Sequence, residues 1–131
     1  MSFDLACQTA IYTRLSRETP LTKIVKRGIY SDAPKGAKFP YVIIGDDVLT
    51  DFDTSTENGA ECDATIHTWS HRLKEVKEVQ AKIRNALHNK TLEYQNYNFE
   101  FCFWTQSQSF QDNDGEVFHG VCNYRIFIRE G

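Results

Sequence analysis

Residues 41–70 read YVIIGDDVLTDFDTSTENGAECDATIHTWS, and their pattern decides the fold class. Two runs rich in β-branched and aromatic residues flank the polar segment TSTENG, whose Asn58-Gly59 pair is a strong hairpin signal. From residue 60 onward the alternation is clean. Ala60, Cys62, Ala64, Ile66 and Thr68 fall on one face, and Glu61, Asp63, Thr65, His67 and Trp69 on the other. In the preceding strand Asp47, Asp51 and Asp53 share a face with Leu49, while Asp46 points the opposite way. The four aspartates are therefore either an acid cluster with chemistry of its own or the polar face and tip of a structural hairpin. Alternating acids on a strand are ordinarily a solvated face, and the hairpin reading is the one the sequence favours.

Working outward, the apolar stripe Leu5, Ala6, Ala10, Ile11, Leu15 predicts a helix from Asp4 to Arg17 with Asp4 as its cap. ETPLTKIV predicts a short second helical turn, with Thr19 as cap and Pro20 at the first helical position. GIYS reads as a brief strand and DAPKGAKFP as a loop. Beyond the hairpin, Leu73, Val76, Val79, Ile83, Ala86 and Leu87 mark an amphipathic helix from Arg72 to His88, suited to lying on a sheet. After HNKTLEY, a turn and short strand, the chain closes on a second long hairpin. NFEFCFWTQSQSF places Phe99, Phe101 and Phe103 on one face. VFHGVCNYRIFI places Phe118, Cys122, Tyr124, Ile126 and Ile128 on one face, and DNDG supplies the turn. A two- or four-residue loop pairs odd positions with even ones, so the two apolar rows are expected to coincide. The expected fold is a single α+β domain over residues 1–131. It has an antiparallel sheet of two long hairpins, with the main helix and the N-terminal helix packed on it.

Composition bounds the function. Fifteen basic against eighteen acidic residues give a net charge of −3, unlike the basic stripe of a phosphate-gripping protein. MSFDLACQTAIYTRL carries no apolar run long enough for a signal peptide, and no span of about 18 apolar residues occurs; a cytoplasmic protein is expected. Cys7, Cys62, Cys102 and Cys122 lie far apart with no CxxC pair, and read as small buried hydrophobes rather than zinc ligands or disulfides. The four histidines show no HxH or HExxH spacing, and there is no Gly-rich phosphate loop and no GxSxG. No cofactor is expected. A divalent metal held by Asp46, Asp47 and Asp51 with His67 or Glu61 is the enzyme alternative. A cytoplasmic adaptor that pairs a peptide with an exposed sheet edge is another. Strands of 11 to 13 residues exceed the usual five or six, so the acidic tips DTSTENG and QDNDG should project and invite contact with another chain.

Several stretches together resemble the tail-completion, or tail-to-head joining, proteins of tailed bacteriophages and prophages. The resemblance runs through Ala10-Ile11-Tyr12, Ile29 to Val42 (IYSDAPKGAKFPYV), Trp69-Ser70, Ala86-Leu87-His88 and Asp112 to Gly120 (DNDGEVFHG), in order along nearly the whole chain. It implies a small α+β structural subunit without catalysis or cofactor, and a ring of copies of itself, typically six-fold. That ring would sit between tail-tube and head-connector proteins, with DNA passing through its lumen. It implies assembly in the host cytoplasm, residence at the virion's tail–head junction, and no membrane. A tail-tube terminator needs the same flat ring and is the neighbouring alternative. On this reading Asp51, Asp53, Glu57 and Asn58 of the first tip, and Asp112 and Asp114 of the second, are expected to face the lumen or a neighbouring subunit. An acidic lumen would repel DNA and let it slide.

Overall fold

The computed structural model describes residues 2–131. In chain order the elements are α1 (Phe3–Ser16), α2 (Thr19–Val25), β1 (Ile29–Tyr30), β2 (Tyr41–Asp51), β3 (Gly59–Ser70), α3 (Leu73–Leu87), β4 (Glu93–Tyr94), β5 (Tyr97–Gln111) and β6 (Phe118–Glu130). They form one six-stranded sheet in the order β1-β2-β3-β6-β5-β4, with the helices on one face.

The α+β class and both long hairpins are present, but the sheet is mixed rather than antiparallel. β1 runs parallel to β2, Ile29 opposite Val42 and Tyr30 opposite Ile43. The loop between them carries the chain back before it re-enters the sheet, so the second strand starts in the same direction as the first. The hairpins are not separate units either. β3 and β6 pair along their full length, from Gly59–Arg129 to Ser70–Phe118. Because these are the second strands of their hairpins and run antiparallel, the two tips emerge at opposite ends of the sheet. At about 3.3 Å per residue the length of β3 separates them by roughly 35 Å.

The helix-side row of β3 is as the alternation predicts: Ala60, Cys62, Ala64, Ile66 and Thr68 are buried. So is the row Cys122, Tyr124, Ile126, Ile128 of β6. On β5 the expected row Phe99, Phe101, Phe103 is broken. The register slips between Phe99 and Phe101 and again between Trp104 and Gln106. Each bulge inserts one residue and turns the following side chains to the other face. Phe99 is buried opposite Ile128, Cys102 takes the next inward place opposite Ile126, and Phe101 stands 53% exposed opposite Phe127.

The helix ends are also shifted from expectation. Ser2, not Asp4, caps α1, its hydroxyl accepting from the Leu5 N–H, while Asp4 sits in the first turn and accepts from the same group. Glu18 occupies the cap position of α2, and Thr19 is already helical. In α1 the inward stripe is Ala6, Cys7, Ala10, Ile11 and Leu15, leaving Leu5 at the surface. Leu73, expected inward on α3, lies at the surface as well. The start of α3 is held by Ser70, whose hydroxyl accepts from Arg72 N–H and donates to Glu75 at 2.6 Å. Gln80 is the polar residue buried on this helix, and it donates to the Gln108 carbonyl of β5 at 3.1 Å.

Candidate interface at the two ends of the sheet

The first tip is an ordered loop. Phe52 N–H donates to Gly59 O, and the Asp53 carboxylate accepts from Gly59 N–H at 2.8 Å. The Thr54 hydroxyl accepts from Glu57 N–H at 3.1 Å. Asn58 donates to Glu130 at the end of β6. Arg129 ties the tip to the sheet: its guanidinium lies over the Phe52 ring, reaches the Phe52 carbonyl, and pairs with Glu57 and with Glu100 of β5. Asp51 and Asp53 make no ion pair among the described residues. The tip is thus tied to the sheet by Arg129 and presents two carboxylates without a cationic partner among the described residues.

The second tip turns at Gly115, whose φ of 75° is accessible to glycine at little cost. Asp112 N–H donates to Val117 O, Asp114 accepts from Glu116 N–H, and Gln111 donates to Gly115 O. The structure therefore does not bring the six expected interface residues together. Asp51, Asp53, Glu57 and Asn58 stand at one end of the sheet, and Asp112 and Asp114 at the other.

The metal set is divided by the sheet. A bulge between Gly45 and Asp47 leaves Asp46 at φ 54°, a left-handed conformation that aspartate tolerates better than most residues. Asp47 then lies opposite Ala64 and Asp51 opposite Ala60, on the helix side, whereas His67 pairs with Val121 in the outward row. Glu61 is occupied by Arg125, which also pairs with Asp63 at 3.0 Å. Among the described residues no cluster of three or more potential metal ligands forms. Burial, then the neighbouring Asp4, raises the Asp47 carboxyl above the ordinary carboxylate range.

The outer face holds an arrangement that the sequence reading missed. Asp46 lies 2.8 Å from His67 Nε2, and His67 Nδ1 lies 2.8 Å from His119 Nε2. An ionised carboxylate only accepts, so His67 donates through Nε2, its Nδ1 accepts, and His119 donates through Nε2. Trp69 stacks on His119 at 4.3 Å and on Tyr41 at 5.4 Å, and Phe110 closes over His119. Burial, followed by His67, lowers the His119 pKa; Asp112 pulls the other way. Placing His67 and Trp69 in one row was the available signal. His119 joins it because β6 pairs with β3 rather than forming an edge.

All four cysteines are free and buried. Burial pushes Cys102 and Cys122 up to about 12, and contact with Cys62 together with burial raises Cys7 further. The raised pKa values of Cys7, Cys102 and Cys122 leave these three thiols weak nucleophiles.

A family model described as tail completion protein gp17 matches residues 9–129. The chain belongs to the tail completion protein gp17 family. Among curated proteins, tail completion protein gp17 of Bacillus phage SPP1 is 27% identical over 124 residues, covering 94% of this chain and 92% of that protein. A solved structure of bacteriophage SPP1 gp17 superposes with a TM-score of 0.61 at 25% identity, over 93% of this chain and 88% of the other. A chain from the virion of a native gene transfer agent particle shares the fold with a TM-score of 0.90 at 20% identity, over 98% and 99% of the two chains. In the family frame, the stretches 29–42, 69–70 and 112–120 fall at one end of the sheet, around β1, the start of β2 and the second tip.

Proposed function

We propose that this protein is a structural subunit of a tailed phage or prophage that forms a ring at the tail–head junction and completes the tail for joining. Its membership of the tail completion family over residues 9–129 carries this reading. The ring is built of copies of this chain, six-fold, and meets tail-tube protein on one side and head-connector protein on the other, with DNA passing through its lumen. The subunit is made in the host cytoplasm and retained in the virion. Its role is assembly rather than catalysis, and this agrees with thiols held far above neutrality and carboxylates divided between two faces and two ends of the sheet. Opposite polar ends on an elongated sheet supply two different contact surfaces, as a ring of heterologous contacts needs.

Electron microscopy of particles from a phage or prophage with an early stop codon in this gene tests the reading. Full heads beside unjoined tails are expected. Overlong tails would make the protein a tube terminator, and normal joined virions would remove the tail-completion role.

A further inference from the structure

Charge is separated along the chain. From residue 21 to 39 there are five lysines and arginines against Asp32 alone; from 40 to 70 there are seven carboxylates and no lysine or arginine. The topology converts this into separation in space. β1 pairs beside Val42, level with Thr68, whereas Asp51 pairs with Ala60 at the far end of the same strands. The basic segment therefore flanks one end of the sheet and the first acidic tip forms the other.

At the basic end, the turn after α2 and the loop from β1 to β2 enclose an open groove of about 650 Å³. Ile24, Tyr30, Phe39 and Pro40 contribute its apolar lining, and Lys26, Arg27 and Lys38 its exposed cationic rim. None of these three cations makes an ion pair among the described residues. Nor do Asp51 and Asp53 on the tip opposite. Unpaired cations at one end and unpaired carboxylates at the other cannot meet within one subunit, but they meet when two subunits stand end to end. The second acidic tip lies at the same end as the groove. Contact between the first tip and the groove joins two different surfaces and so propagates from copy to copy.

We propose that the first hairpin tip of one copy, through Asp51 and Asp53, docks on the Lys26–Arg27–Lys38 rim of the next copy's groove, and that this head-to-tail contact closes the ring. The proposal rests on the ring reading above and names its contact. Complementary charge sets partner choice and orientation more than raw affinity, so the contact also fixes the direction in which the subunits follow one another.

The test uses full-length variants supplied to the stop-codon phage. One carries Asp51→Lys, Asp53→Asn and Ser55→Lys, which reverses the tip and keeps an acceptor for Gly59 N–H. The other carries Lys26→Glu, Arg27→Glu and Lys38→Glu. Each alone is expected to lower the yield of joined virions at least tenfold. The two supplied together should restore it, because every tip then meets a groove of opposite sign in an alternating ring. Circular dichroism melting confirms that each variant folds; should one not, Asp51→Asn with Asp53→Asn replaces the tip variant and Lys26→Gln with Lys38→Gln the rim variant, and their combined loss must be less than multiplicative. Wild-type yield from either variant alone, or failure of the folded pair to rescue, overturns the contact and leaves the ring standing. Joined virions without any copy of the protein would instead overturn the ring reading itself.

Discussion

The Asp46 carboxylate reaches His67 Nε2 at 2.8 Å because a bulge inserts Asp46 between Gly45 and Asp47 and turns it to the outer face. The contact orients His67 so that its other nitrogen receives His119, and the pair packs against Trp69. Burial holds His119 below the ordinary histidine range. A folded-state pKa below the unfolded value, about 6.5, means that the unfolded chain binds more protons as pH falls through that region. The stability contributed by neutral His119 is full above the unfolded value and declines below it. The melting temperature should therefore fall between pH 7.5 and pH 5.5, and His119→Asn should flatten that slope relative to wild type. An unchanged slope in the variant would assign the pH dependence to other groups.

Asp46 itself offers a second test. At φ 54° an Asn keeps both tolerance for the conformation and an acceptor for His67, whereas Ala keeps neither. Asp46→Ala should cost about 1–3 kcal/mol in urea denaturation, and Asp46→Asn roughly 1 kcal/mol or less. Equal losses in the two variants would show that the charge, not the backbone, governs the site.

The same bulge explains what the sequence could and could not reveal. Strict alternation identified the inward rows of β3 and β6 because neither strand is interrupted. On β2 and β5 an inserted residue resets the alternation, and nothing in GDDV or FEFC distinguishes an inserted residue from an ordinary one. Alternation alone therefore puts Phe101 inward, whereas it stands outside, stacked on Phe103. The parallel β1–β2 pair was hidden for another reason: a two-residue strand carries no periodicity, and its direction is set by a loop that returns the chain. The tips were legible as turns. Their placement at opposite ends was not, because it depends on which strands join the hairpins.

Gly120 of β6 lies directly beneath α3. A Cβ there would sit 2.5 Å from Gln80 Nε2 and 2.6 Å from Val76 Cγ1. Gln80 can swing away only by giving up its bond to the Gln108 carbonyl, and Val76 is fully buried. Gly120→Ala should destabilise the protein by about 1–3 kcal/mol through overpacking, measured by chemical denaturation. A loss within about 0.5 kcal/mol would mean that α3 shifts freely on the sheet.

Thr68 faces the helices with a buried hydroxyl that has no hydrogen-bond partner among the described residues. A buried donor without a partner carries its desolvation cost uncompensated, about 1–3 kcal/mol. Thr68→Val keeps the branched shape and removes the hydroxyl, so it should leave stability unchanged or raise it by about 1 kcal/mol. Destabilisation beyond about 1 kcal/mol in the melting curve would show that the hydroxyl is satisfied by bound water.

The thiols give the last prediction. With Cys102 and Cys122 at about 12 and Cys7 raised by its contact with Cys62 and by burial, the thiolate fraction of the first two at pH 8 is on the order of one in ten thousand. Burial also denies a reagent its line of approach. An aromatic disulfide reagent at pH 8 should therefore release almost nothing from the native protein over minutes and four thiols per chain once urea unfolds it. Fewer than four in the unfolded, unreduced chain would reveal a disulfide. Rapid release from the native state would mean that α1, which carries Cys7 over β3, lifts from the sheet on that timescale, since the Cys7 and Cys62 thiols meet beneath it.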